Sequence, residues 1–320
     1  MAKQELREVE VEHDITVSAA ATDVYRLIAE IENWPRIFPP TVYADYAERS
    51  ERSERSGQEE RIRIWATANG EVKNWTSRRV LDPANLRIGF RQEVPAPPVA
   101  AMGGTWLIEP VTARECRVRL LHEYRAIDDD PGGLAWIGQA VDRNSRSELA
   151  ALKANVEGSS ADRLLSFADT VRVDGSARDV YDFINEAQLW QQRLPHVARV
   201  DLQEKTPGLQ ILEMDTRGKD GSTHTTKSVR VCFPHRMIAY KQVTLPALMS
   251  LHNGHWQLEA DGDGVLATSH HTVVINTANI PAVLGEGAGV AQARELVKNS
   301  LSTNSRTTLA HAKQYAEAQR

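Results

Sequence analysis

Apolar and polar residues alternate from Val9 to Val17, the period of a half-buried strand. Val24, Tyr25, Leu27, Ile28 and Ile31 then recur at three- and four-residue steps, which predicts a short helix. Asp23 sits in its first turn, where a carboxylate suits the positive end of the helix dipole, and Trp34-Pro35 marks its end. Strand-like alternation returns across roughly Val42 to Ile127, broken by turn signals at Asn69-Gly70 and Asp82-Pro83-Ala84-Asn85. Last comes a helical stripe of Leu134, Ile137, Val141, Leu149, Leu152 and Val156, interrupted by Asn144 and Ser145.

The whole pattern then repeats. Val17 to Tyr25 returns as Val173 to Tyr181, an offset of 156 that also carries Trp34 onto Trp190. Ser77-x-Arg79 returns as Ser228-x-Arg230 at offset 151. Phe90-Arg91-Gln92 and Gly104-x-Trp106 return as Tyr240-Lys241-Gln242 and Gly254-x-Trp256 at offset 150. Asn144-Ser145-Arg146 returns as Asn304-Ser305-Arg306 near the end of the chain. Ordered blocks at this spacing are one domain duplicated, since a solenoid repeat is far shorter. The second copy has a strand from Ser166 to Val173, Asp179 at the head of a short helix, strands from Val197 to Ile275 and a final stripe of Val290, Leu296, Val297, Leu301 and Leu309. Asp220-Gly221 and Asp261-Gly262-Asp263-Gly264 supply turns among those strands. We therefore expect domains at 1–157 and 158–320, joined through Glu157-Gly158-Ser159-Ser160. The charge run from Glu48 to Ser56 has no apolar face and reads as a solvated hairpin tip.

Strand, short helices, about six antiparallel strands and a long helix make an α+β architecture, a curved sheet wrapping one helix. With aromatics at only 6% of the chain, an internal cavity between sheet and helix is expected in each half.

At 320 residues, each half is large enough to bury roughly 68–70% of its unfolded surface without disulfides or a structural metal. A net charge of −5 disfavours a dedicated nucleic-acid binder. Cys116 and Cys232 fit no redox or metal motif and read as reduced strand residues of a cytoplasmic protein. The charged N-terminus does not read as a secretory signal, and no apolar run is long enough to span a membrane. Phosphate loops, metal spacings and a nucleophile elbow are also missing.

The remaining chemistry lies on alternating strand positions. Trp75, Ser77 and Arg79 share one face, as do Thr226, Ser228 and Arg230. Arginine holds a carbonyl oxygen and stabilises charge developing there. His122 falls on an inward face, and His270 aligns with it if two residues are deleted from the preceding turn. Trp106 and Trp256 are candidate cavity walls.

The helix ending in Trp34-Pro35, the strand Asn74-Trp75-Thr76-Ser77-Arg78-Arg79 before Asp82-Pro83, Phe90-Arg91-Gln92 and Gly104-x-Trp106 resemble bacterial polyketide aromatase/cyclases. The likeness is to the di-domain enzymes of type II aromatic polyketide synthases, which have the helix-grip fold of START and Bet v 1-like proteins. It implies pocket roles for Arg79, Ser77, Trp75 and Trp106, which the repeat extends to Arg230, Ser228 and Trp256; His122 and His270 are the candidate proton shuttles, and Tyr43, Asn144 and Asn304 are further candidate substrate contacts. The family's pocket tyrosine follows Trp-Pro; here Thr41 falls at that place and Tyr43 two residues on. The implied reaction is C7–C12 aldol closure and dehydration of a poly-β-ketone on an acyl carrier protein, beside other synthase subunits, with no metal or organic cofactor. Arg61, Arg63, Arg87 and Arg91 are a candidate carrier-docking patch. Thr226 in place of Trp75 predicts a wider, wetter second cavity suited to dehydration, with ring closure in the first. A non-catalytic carrier of an apolar ligand and a structural subunit of the synthase are the alternative readings.

Overall fold

The computed structural model describes residues 8–49, 58–68, 71–158, 162–218 and 221–319. It divides into two compact units, Met1–Ser159 and Ser160–Arg320. The first runs β1 (Val9–Val17), α1 (Ala21–Ala29), α2 (Trp34–Ile37), β2 (Thr41–Arg49), β3 (Gln58–Ala68), β4 (Glu71–Asp82), β5 (Arg87–Gln92), β6 (Val99–Thr112), β7 (Glu115–Ala126) and α3 (Pro131–Gly158). The second runs β8 (Leu164–Val173), α4 (Ala177–Asn185), α5 (Trp190–Arg193), β9 (Val197–Thr206), β10 (Leu209–Arg217), β11 (Thr223–Phe233), β12 (Met237–Thr244), β13 (Met249–Asp261), β14 (Gly264–Ile275), α6 (Ile280–Leu284) and α7 (Val290–Glu317).

Each unit has one seven-stranded antiparallel sheet, in the order β1-β7-β6-β5-β4-β3-β2 and β8-β14-β13-β12-β11-β10-β9. The first strand pairs with the last, Val9 opposite Tyr124 and Val17 opposite Cys116. Each sheet packs its concave face on a long helix, which is the helix-grip arrangement. In α3 the buried stripe is Ile137, Val141, Ser145, Leu149 and Leu152. In α7 it includes Ala293, Val297, Ser305, Leu309 and Ala312. The serines that break the apolar pattern are thus inside the stripe.

The Gly-x-Trp pairs have a steric cause. Gly104 lies opposite Phe90, and Gly254 opposite Tyr240. A Cβ at Gly104 would run into the Leu121 carbonyl and come within 2.6 Å of the Phe90 ring. At Gly254 it would strike the His270 carbonyl and lie 2.7 Å from the Tyr240 hydroxyl. Glycine is what lets the aromatic ring cross its neighbouring strand.

Cys116 and Cys232 are buried free thiols, and burial pushes Cys232 up to about 11. The charge run from Ser50 to Ser56, the Asn69-Gly70 turn and Asp220 lie outside the described residues. Among the described residues no helix is long and apolar enough to cross a membrane.

Candidate active sites

Each unit encloses a cavity between sheet and long helix, about 470 Å³ in the first and about 300 Å³ in the second. The second is therefore the smaller, against the expectation from the lost indole. Met214 stands where the first unit has Ile64, and Leu248 and Met249 also intrude on the second cavity. Trp75, Ser77, Trp106, His122 and Asn144 line the first cavity, and Thr226, Ser228, Trp256 and Asn304 line the second.

Arg79 and Arg230 reach these cavities; Arg79 spends both its Nη groups on the protein, Arg230 only its Nη2. Arg79 is 1% exposed and its Nη2 donates to Glu60 Oε2 at 2.5 Å and to the Ala29 carbonyl at 2.7 Å. Its Nη1 donates to the Ile28 carbonyl at 3.2 Å. Those carbonyls end α1, where the helix dipole favours a cation. The guanidinium also lies 5.3 Å from the Trp34 ring, whose Nε1 donates to Ile28 O. The arginine thus pins helix, tryptophan and sheet together.

Arg230 repeats half of this. Its Nη2 donates to Ile184 O at 2.7 Å at the end of α4, and it lies 5.3 Å from the Trp190 ring. Opposite it stands Gln210 where the first unit has Glu60. Among the described residues no carboxylate bonds it and its Nη1 is buried without a hydrogen-bond partner, and burial pushes its pKa down.

The histidine expectation holds in place for one unit and shifts in the other. His122 lines the first cavity, its Nδ1 3.4 Å from Ser145 Oγ, and burial holds it down at about 4. In the second unit the inward residue is His271. It stands opposite Gly254 as His122 stands opposite Gly104, whereas His270 pairs with His255. Those two rings stack 4.3 Å apart, on the face turned from the cavity. Adjacent strand residues face opposite ways, so the one-residue difference decides the matter.

Tyr43 also falls outside the cavity lining. An irregularity in the β2–β3 register between Thr41 and Tyr43 sets it against the Trp65 ring at 5.6 Å, and Thr41 lines the cavity instead. The arginine patch is largely neutralised: Arg61 donates to Glu93 and Glu48, Arg63 twice to Asp45, Arg91 to Glu123, while Arg87 reaches Thr105.

One residue escapes the sequence reading. Glu148 lines the first cavity from α3, one turn beyond Asn144, and burial raises its carboxyl to about 7. The interruption of the stripe was its signal: Asn144, Ser145 and Glu148 share a helix face, and the second unit has Asn304, Ser305 and Thr308 there. The first cavity thus combines a carboxyl whose pKa burial raises with an imidazole whose pKa burial lowers, among tryptophan walls. Among the described residues, no group of three or more His, Cys, Asp or Glu is arranged to hold a metal ion.

Comparison with known proteins gives the same reading twice along the chain. The family described as "Polyketide cyclase / dehydrase and lipid transport" matches residues 8–157 and again 165–317. The chain is 52% identical over 303 residues to the granaticin polyketide synthase bifunctional cyclase/dehydratase of Streptomyces virginiae, covering 93% of this chain and 96% of that protein. It is 43% identical to the actinorhodin polyketide synthase bifunctional cyclase/dehydratase of Streptomyces coelicolor, covering 94% and 95%. The crystal structure of the di-domain ARO/CYC BexL from the BE-7585A biosynthetic pathway superposes with a TM-score of 0.90 at 65% identity, covering 97% of this chain and 99% of that one. The duplicated helix-grip units, the cavity in each and these likenesses over nearly the full length place the chain in the polyketide cyclase/dehydrase family, in its di-domain aromatase/cyclase form.

Proposed function

We propose that the chain closes and aromatises the first six-membered ring of a poly-β-ketone carried on an acyl carrier protein, with C7–C12 regiochemistry, in the cytoplasm beside other subunits of a type II synthase. The observation that carries the reading is that Glu148 and His122, a candidate acid and a candidate base, line the same cavity. A methylene between two carbonyls is acidic, so the enzyme's work is to fold the chain and to move protons. Walls of Trp34, Trp75, Trp106 and Phe90 enforce the fold, an advantage of proximity. Neutral His122 takes the methylene proton, the carbanion attacks the distant carbonyl carbon, and Glu148 delivers its proton to the oxygen that becomes hydroxyl. Loss of that hydroxyl with a neighbouring proton then gives the ring double bond and water.

Ser77 and Asn144 line the same cavity and orient carbonyls. In this scheme Arg79 and Arg230 frame the cavities and add a positive field, since their bonded donors are committed to backbone and Glu60. Trp136, 53% exposed, and exposed Arg143 line the first cavity from α3 and make a rim where a carrier's phosphopantetheine arm would meet a cation. A carrier of an apolar ligand would have no use for a carboxyl poised near neutrality.

The test is incubation with a minimal synthase, with and without ketoreductase, followed by product mass and ring pattern. First-ring C7–C12 products should appear with the wild-type chain and fall by about 10²–10⁴-fold in rate with Glu148→Gln. Unchanged products on adding the wild-type chain would sink the proposal.

A further inference from the structure

The second cavity holds a cluster that the first does not. Tyr240 occupies the place of Phe90, His252 that of Met102, and Ser269 that of Leu120. Tyr240 Oη lies 2.9 Å from His271 Nδ1 and 3.3 Å from His252 Nε2, and the two ring nitrogens are 3.0 Å apart. On its other side His271 Nε2 lies 2.7 Å from Ser305 Oγ and 3.1 Å from Ser269 Oγ. Phe167 stacks on the His271 ring at 4.9 Å. Tyr240, His252, His271 and Ser305 all line the cavity.

The fold does not require this cluster. The first unit builds the same sheet with Phe90, Met102 and Leu120, which need no hydrogen bonds. Burying two imidazoles and a phenol costs free energy unless they are bonded, and their mutual bonds offset a cost that the apolar residues of the first unit never incur, so packing alone gives no reason for the cluster. Among the described residues no carboxylate lines this cavity, and Thr308 stands in the place of Glu148.

Bonding fixes the tautomers. His252 Nδ1 is buried without a hydrogen-bond partner. A buried N–H left unpaired costs more than a bare lone pair, so His252 carries its proton on Nε2 and donates it into the triangle. His271 accepts at Nδ1 and donates from Nε2 to Ser305. The Tyr240 hydroxyl then keeps only a long contact, 3.5 Å, to the His270 carbonyl, which an oxygen in the cavity can replace as the acceptor of its proton. Burial lowers His252 to about 3 and His271 to about 4 and raises Tyr240, so all three are neutral near pH 7.

We propose that the second cavity is a separate dehydration site for the cyclised β-hydroxy ketone, with Tyr240 as the acid and His271 as the base. This rests on the reading that the chain acts on poly-β-ketones. His271 Nδ1 takes the proton on the carbon between hydroxyl and carbonyl, as His252 turns its N–H onto Tyr240 Oη. The C–O bond breaks, the C=C bond forms, and the hydroxyl leaves as water with the Tyr240 proton. The tyrosinate, held by His252, then recovers a proton from the His271 imidazolium 2.9 Å away, which restores the starting state.

Full-length Tyr240→Phe and His252→Met install the residues that the first unit already carries, so each fold is precedented within the chain. Each variant, checked by its melting transition, is incubated with the minimal synthase and its products are weighed. The expected result is continued consumption of the linear chain, with a cyclic product one water heavier accumulating as dehydration slows roughly 10²-fold or more. Wild-type product ratios from both variants would overturn the proposal, as would loss of cyclisation and dehydration together, because the site would then not be separate. Failure of the wild-type chain to cyclise anything would instead strike the reading beneath it.

Discussion

Replacing Arg79 with methionine should destabilise the first unit far more than Arg230→Met destabilises the second. Arg79 is the cation of a buried pair with Glu60, whose side chain is 0% exposed. Removing one member of such a pair costs about 3–5 kcal/mol, because the other charge stays buried. Half-exposed Arg49, 3.1 Å from Glu60 Oε1, offsets part of that. The Ala29 carbonyl loses a donor, at about 1–3 kcal/mol, while Ile28 O keeps Trp34 Nε1. Losing about 4 kcal/mol is roughly a quarter or more of a typical domain's stability. Among the described residues Arg230 has no bonded carboxylate, and its buried charge is already disfavoured in the fold. Methionine there removes that penalty and forfeits one carbonyl bond, a net of about 0–2 kcal/mol. Urea denaturation of the full chain, with amide exchange to assign each transition to its unit, measures both. Adding Glu60→Gln, which copies Gln210, should restore about half of the Arg79→Met loss, a coupling that a double-mutant cycle reads directly. Equal losses at the two arginines, or no rescue by Glu60→Gln, would refute the reasoning.

Glu148 gives a pH signature. Its folded pKa of about 7 lies above the ordinary 4.5, so its contribution to stability is full below about pH 4.5 and is lost as pH rises through 7. Glu148→Gln should flatten that slope in pH-dependent melting and remove the fall in ring-closing rate above pH 7. Gly104→Ala should cost roughly 1–3 kcal/mol through overpacking against Leu121 O and Phe90, visible as a lower urea midpoint. Arg143→Ala should raise KM for the carrier-bound substrate with kcat and melting little changed, more so at low salt, since exposed charges are screened over about 8–10 Å at physiological ionic strength.

Much of the fold was open to reading because duplication supplies its own control. A block such as Asn144-Ser145-Arg146 means little once, but its return at Asn304 fixes both the order of elements and the place where a helix meets a cavity. Strand alternation put Ser77 and His122 on inward positions for the same reason. It could not choose between His270 and His271, because that choice needs the cross-strand register, and only the pairing of Gly254 with His271 supplies it. Arg79 looked like a free donor for substrate because its partners, Ile28 O, Ala29 O and Glu60, come from elements 19 and about 50 residues away. Glu148 was hidden by its type: a glutamate on a long helix is ordinarily solvated, and only the cavity beside it makes its proton unusual.

The pairing of each unit's first strand with its last has a consequence during synthesis. β1 emerges first from the ribosome but cannot join its sheet until β7 is made, since Val9 bonds across to Tyr124. The sheet therefore waits on contacts of large sequence separation, the kind that slow folding. α3 follows β7 at once, so the first unit can close while the second, whose Leu164 awaits Val274, is still being translated. Duplication in tandem keeps two such slow closures apart in time, so that the matching strands of the two halves are seldom exposed together and have little chance to pair with the wrong sheet.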